Sequence, residues 1–302
     1  MATHIRFDWA MKRLLRNKAN FDVLEGFLSV LLEEDITIKE ILDSEGNKQE
    51  LDDKYNRVDI LVKNSKDELV LIEVQNEREH DYFHRMNYGQ AKLTTEHLYE
   101  GDAYSKIKKV YSINIVYFDL GQGHDYIYKG LTEFRGLHSG DLLELNDKQK
   151  AIYPVEHVSD IFATYYLLKV NAFDDVAKDS LDEWIYFLKN SEIKDNFTAK
   201  GLPEAKEKLR RDKLSPAEKQ AYEKYLHHQR ISAGEYQTGL VEGQDLAKKE
   251  YEEKLEAERK QREEATKQAE DERKQREALQ RKTARELKAA GVPVEKIAEI
   301  TG

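Results

Sequence analysis

Apolar positions recur along this chain with two different periods. Leu24, Phe27, Leu28, Leu31 and Leu32 follow Asn20 at helical spacing, so residues 20–34 read as an amphipathic helix, with Asp8 the expected N-cap of a short helix before it. From Ile36 the period falls to two. ITIKEIL, NRVDILVK, ELVLIEVQ and VYSINIVYF are short, β-branched and bounded by polar or glycine-bearing turns, which predicts four strands. Between the third and fourth, residues 81–100 carry Tyr82, Met86, Leu93 and Leu98, with Gly89 the one interior glycine and no proline, so a crossover helix is expected. The order α-β-β-β-α-β predicts an α/β fold: a mixed four-stranded sheet flanked by helices.

After about Gly130 the strand texture fades. Residues 155–190 and 203–228 read as helices, and the stretch beyond them is dominated by charge. Residues 245–288 hold 13 acids and 14 bases, with seven Glu-to-Lys/Arg steps at i,i+4, such as Glu250/Lys254 and Glu272/Arg276. That spacing supports an isolated helix, about 65 Å long if straight. Between Leu255 and Leu279 only alanine, threonine and glutamine interrupt the charges, so a spacer helix is favoured, and a loose homodimeric coiled coil is the competing reading. The final ARELKAAGVPVEKIAEITG is similar to the opening helix and turn of a helix-turn-helix without a recognition helix after it; a plain helical hairpin or dimer contact is the simpler account. The expected organisation is a core over 1–150, a helical extension over 151–230 and a charged helical tail over 231–302.

Composition narrows the chemistry. Of 302 residues 36% are charged and the net charge is −10, carried by the part before the tail, which does not suit a protein that coats DNA by bulk attraction. Contact with nucleic acid would have to be local, as at Lys12-Arg13-Arg16-Lys18, Lys106-Lys108-Lys109 or Lys206-Lys208-Arg210-Arg211-Lys213, each equally readable as a solvated edge. The absence of cysteine excludes disulfide scaffolds, thiolate metal sites and cysteine nucleophiles. MATHIRFDWAMKRLL has no apolar stretch of signal-peptide length, and no run approaches a membrane span, so a soluble, cytoplasmic protein is expected.

The hairpin from Val58 to Gln75 carries the candidate chemistry. If its turn centres on Lys66, Lys63 faces Leu69, Leu61 faces Leu71, and Asp59 lies opposite Glu73. One face is then Val58, Ile60, Val62, Val70, Ile72 and Val74, apolar throughout, while the other shows Asp59, Glu73 and Gln75 beside Leu61 and Leu71. Two carboxylates with Cβ atoms about 4.5–5.5 Å apart repel unless something neutralises them. A divalent cation would do so, and hard oxygen donors suit Mg²⁺ or Mn²⁺, which complete their shells with water and phosphate oxygens. The implied reaction is phosphodiester hydrolysis. Gln75 can orient a water but cannot take its proton.

Asp59 followed by Glu73-Val74-Gln75 resembles the active-site signature of PD-(D/E)XK nucleases in the variant where glutamine replaces the lysine. The segments LEGFLSVLL, NRVDILVK, LVLIEVQNE, DYFHRMNYGQAKLTTEH and KVYSINIVYFDLGQG, in that order, resemble the Rpn-type recombination-promoting nucleases, also called PD-(D/E)XK family transposases, over residues 5–150 and more loosely in the tail. The resemblance implies a restriction-endonuclease-like core and a metal-dependent DNA endonuclease serving recombination, transposition or mobile-element defence. Asp59 and Glu73 would be its metal carboxylates, Gln75 would hold the lysine position, and Glu25 in LEGFLS would match an acidic residue of the first helix. Arg85, Tyr88 and Lys92, at i, i+3 and i+7, share a helix face and could bind phosphate or, as Lys92, supply the missing cation; pairing with Asp81 or Glu96 is the alternative. A neutral amide stabilises developing charge less than an ammonium, so a catalytically weakened DNA-binding or protein-interaction module is the competing function. His80/His84 and Gly121-Gln122-Gly123 lack the partners that a zinc or nucleotide site needs.

Overall fold

In a computed structural model, described for residues 4–42, 60–153 and 155–301, the period-two segments form β1 (Ile38–Leu42), β2 (Ile60–Asn64), β3 (Leu69–Gln75) and β4 (Val110–Val116). The hairpin takes the expected register: Lys63 pairs with Leu69, Leu61 with Leu71 and Ile60 with Ile72. Its turn is held by Asn64, whose Oδ1 accepts from the amides of Lys66 (3.0 Å) and Glu68 (2.9 Å). β4 runs parallel to β3 after a crossover through α3 (Tyr82–Glu96).

The sheet has six described strands instead of four. β5 (Ile127–Gly130) and β6 (Thr164–Lys169) extend it, in the order β1-β2-β3-β4-β6-β5. β6 lies in a stretch expected to be helical. Paired parallel to β4 and antiparallel to β5, with five of its six residues buried, TYYLLK reads as one apolar run without alternation, and periodicity cannot separate such a run from a buried helix. β5 is a four-residue edge strand, too short to show a period.

The other helices are α1 (Phe7–Arg13), α2 (Phe21–Leu32), α4 (Asp147–Ile152), α5 (Ser180–Asn190), α6 (Leu202–Lys208), α7 (Pro216–Ala289) and α8 (Val294–Thr301). Phe7, Phe27, Trp184 and Phe187 from α1, α2 and α5 meet with ring centroids 5.3–6.1 Å apart and are fully buried. Gly26 lets α2 touch the backbone before α6: a Cβ there would lie 2.3 Å from the Gly201 Cα, and Gly201 itself needs φ +84. Asp8 does not cap α1. Arg6 occupies the N-cap position, and the Asp8 carboxylate is buried in the first turn among other partners.

The chain divides into two compact units, Met1–Tyr225 and Leu226–Gly302. The second consists of the rest of α7 and of α8, after a turn at Gly291 with φ +81. Its helix forms as the charge spacing predicts, yet the ion pairs closed among its described residues, Arg259–Glu263 at 3.9 Å and Arg273–Glu277 at 3.3 Å, run in the reverse order. Exposed pairs worth a few tenths of a kcal/mol do not hold long side chains in one geometry. Among the described residues no helix is long and apolar enough to cross a membrane.

Candidate active site

Strand alternation sends Leu69, Leu71, Glu73 and Gln75 to one face of β3 and Val70, Ile72 and Val74 to the other. The carboxylate face is not open to water as the hairpin alone suggests. α3 lies over it, and Leu61, Leu69, Leu71, Leu93 and Val110 form a buried apolar cluster there. Glu73 is therefore only 6% exposed. Beside it on β4 stands Asn114, also buried, which accepts from the Tyr82 hydroxyl at 3.3 Å and donates to Ser112 Oγ at 3.0 Å.

The face of α3 turned to Glu73 is built from Arg85 and Gly89. The Arg85 Nε lies 3.8 Å from Glu73 Oε2, an ion pair longer than a hydrogen bond, while its Nη1 donates to Glu79 Oε1 at 2.8 Å. Burial works to lower the Arg85 pKa, but the charges of Glu73 and Glu79 outweigh it and leave the guanidinium above its ordinary value. At Gly89 a Cβ would lie 3.9 Å from Glu73 Oε1, so the glycine places no side chain of its own against that oxygen.

Gln75, two residues on, donates from Nε2 to Glu79 Oε1 (2.8 Å) and to the Glu77 carbonyl (3.3 Å). Both partners are acceptors, which fixes the amide orientation, uses both N–H groups and leaves Oε1 as the function that can still accept from a water. The strand end just beyond is pinned: Asn76 donates to Asp8 Oδ2 at 2.8 Å and accepts from Arg6 Nη2 at 2.7 Å.

Asp59, the expected partner of Glu73, lies outside the described residues. Glu25 accepts from the Ile38 amide at 2.8 Å through Oε1, so one of its oxygens serves to hold the start of β1 against α2. Tyr88 is half exposed, and Lys92 pairs with Glu96 at 3.9 Å. Arg85 comes to Glu73 itself. Sequence reading missed Glu79, which ties Gln75 to Arg85, and the Ser112-Asn114-Tyr82 track; polar residues inside VYSINIV were the available signal for the track, whereas Glu79 sits in a turn without periodicity.

For a hard divalent ion, the described residues offer Glu73, with Glu79 on the neighbouring turn. No group of three His, Asp or Glu side chains capable of enclosing a metal occurs among the described residues. This donor set fits an ion that takes one or two carboxylates and fills its shell with water and phosphate, and does not fit a closed structural site.

Comparison with curated proteins and with solved structures finds no match. The family model described as PD-(D/E)XK nuclease family transposase matches residues 5–233, which takes in the sheet, its helical cover and the start of α7. The mixed sheet with a buried glutamate two residues before Gln75 agrees with it, and the chain belongs to the PD-(D/E)XK nuclease family transposases.

Proposed function

We propose that the chain is a metal-dependent DNA endonuclease, acting in recombination, transposition or mobile-element defence, with its reacting centre on the α3 face of β3. Asp59 and Glu73 would hold Mg²⁺ or Mn²⁺. Bound there, the ion would polarise a phosphate, lower the pKa of a water and stabilise charge on the leaving oxygen. Gln75, its N–H groups spent on Glu79 and Glu77, offers Oε1 to orient the attacking water. Arg85, Tyr88 and Lys92 receive phosphate, Arg85 by turning from its long contact with Glu73, and Lys92 supplies a cation in place of the absent motif lysine. Glu25 assists through its second oxygen. The tail helix is the segment we assign to homodimer contact.

The observation that carries this reading is a glutamate 6% exposed on a β-strand, facing an arginine and a glycine of the crossover helix, in a chain of a nuclease family. A second reading, a non-cleaving DNA-binding module, is favoured by the lack of a free amide N–H at Gln75. The test is nicking of supercoiled plasmid with Mg²⁺ or Mn²⁺ by the unaltered chain, Asp59→Ala and Glu73→Ala. A loss of about a hundredfold or more in both variants is expected. Equal nicking by all three preparations overturns the proposal, and DNA binding without any metal-dependent nicking selects the second reading.

A further inference from the structure

α3 presents two flanks. Arg85, Gly89 and Lys92 run at i, i+4 and i+7 along the flank over Glu73; Phe83, Asn87 and Gln90 run at the same spacing but two residues earlier, about 200° around the helix. Below this second flank lies a cavity of about 360 Å³. Phe83, Met86 and Asn87 form one wall, and Tyr128, Gly130 and Tyr165 of the β5-β6 edge form the other. We propose that this cavity receives one unpaired nucleobase of a DNA strand bound across α3, an inference that rests on the nuclease reading for the presence of DNA.

Shape comes first. The volume is at the small end of ligand pockets and suits a single flat ring system. The cavity exists because the edge strand has no side chain opposite Tyr165: a Cβ on Gly130 would stand 3.3 Å from the Tyr165 Cβ. Its aromatic walls are fixed in advance. Tyr165 donates to Gln90 Oε1 at 3.4 Å, Gln90 is held by Thr94 at 2.8 Å, and the Tyr128 oxygen accepts from the Asp125 amide at 3.0 Å. Rings held this way stack a base at little ordering cost, and stacking tolerates any base.

Polarity then selects the ligand. The Asn87 amide has no hydrogen-bond partner among the described residues, and it offers a donor and an acceptor side by side, the pattern that reads a base edge. No carboxylate lines the cavity, so it is not built for a cation. Lys169, buried on the same sheet face, lies 5.7 Å from the Tyr128 ring centre, whereas the Lys129 ammonium lies 5.5 Å from the Tyr166 ring centre on the opposite face, so no charged side chain among the described residues crowds the mouth. A flat neutral ring with donors and acceptors on its edge satisfies both the shape and the polarity. Extrusion from a continuous duplex costs a few kcal/mol, so the occupant is a base at a single-stranded, bulged or mismatched position.

The test uses the full chain without divalent metal, with 2-aminopurine placed in a single strand, in a bulge or inside a continuous duplex, and binding followed separately by anisotropy. Stacking should quench the probe in the first two and leave it unchanged in the third. Asn87→Trp, an exposed position whose indole would plug the cavity, should abolish quenching while anisotropy still reports binding; Asn87→Ala should lower the preference for the bulged oligonucleotide by about tenfold. Quenching unaffected by Asn87→Trp, or quenching of free 2-aminopurine riboside with none in the oligonucleotides, overturns the proposal, as does absence of DNA binding. A chain that quenches yet never nicks plasmid keeps the pocket and loses the nuclease; one that nicks plasmid with no quenching loses only the pocket.

Discussion

Asp8 should be among the most sensitive positions in the chain, although it is remote from Glu73 in sequence and carries no expected chemistry. Its carboxylate is 1% exposed and accepts from Arg6 Nε (3.1 Å), Arg6 Nη2 (3.2 Å), Asn76 Nδ2 (2.8 Å), the Trp9 amide (2.9 Å) and the Tyr225 hydroxyl. Burial pushes its pKa up, but the Arg6 charge and the hydrogen bonds from Arg6, Tyr225 and Asn76 outweigh it and hold the carboxyl below its ordinary value. Truncation by Asp8→Ala strands the Arg6 guanidinium against the Tyr117 ring, 5.0 Å away, with Asn76 as its remaining acceptor. Removing one partner of a buried pair costs about 3–5 kcal/mol; Arg6 keeps 28% of its side-chain exposure, so the lower end, about 3 kcal/mol, applies. For a unit of this size that is a fall of about 6–12 °C in Tm. The sign with pH follows from the depressed pKa: the stabilisation is present above the unfolded carboxyl pKa of about 3.9 and is lost as pH falls through the folded value. The gap in melting point between the unaltered chain and Asp8→Asn should thus begin to close below about pH 4 and vanish only below the depressed folded pKa. An Asp8→Ala melting point within 2 °C of the unaltered chain at pH 7, or a gap to Asp8→Asn that has not narrowed at the lowest pH where both fold, would refute the reasoning.

Gly89→Ala should raise Tm, since a helical glycine costs about 1 kcal/mol relative to alanine and the new Cβ meets Leu71 and Glu73 at ordinary contact distances of 3.8 and 3.9 Å; a lowered Tm contradicts that packing. Gly26→Ala should cost about 2–3 kcal/mol by driving α2 off the Gly201 backbone, read as a lower denaturant midpoint with unchanged slope; an unchanged midpoint would remove the close approach. Arg85→Met should tighten Mn²⁺ binding roughly tenfold in calorimetry by withdrawing the cation that now stands 3.8 Å from Glu73, and weaker binding would mean that Arg85 organises the site instead of competing for it.

The hairpin register was legible because Ile60, Val62, Val70, Ile72 and Val74 make one face of the β2–β3 ladder apolar, and a shift by one residue would expose all of them. The helices over 20–34 and 81–100 were legible from period alone. β6 was not: it is an interior strand with five of six residues buried, and its polar residues Thr164 and Lys169 stand only at its two ends, so no polar–apolar alternation marks TYYLLK as a strand. Asp8 misled for a related reason. An aspartate before an apolar turn is the common sign of a cap, and what overrode it was Arg6, Asn76 and Tyr225, which are up to 217 residues apart from it and converge only through the fold.

The same limit governs the candidate site. Alternation placed Glu73 and Gln75 on one face, but not what covers that face, because the answer depends on which stripe of α3 turns inward. Tyr82, Met86 and Leu93 are the buried ones, and this rotation carries Arg85 and Gly89 to Glu73 while sending Asn87 to the opposite flank. A carboxylate pair on adjoining strands called for a cation to offset it, and Arg85 already stands near one of the two. Charge compensation alone therefore does not demand a metal. What still favours one is geometry: the Arg85 Nε lies beyond hydrogen-bond distance from Glu73, its Nη1 is committed to Glu79, and Gly89 withholds a side chain over the carboxylate. A purely structural ion pair gains from closing to a bidentate contact and from an alanine in its helix. The long contact under a glycine is better suited to a counterion that yields its place.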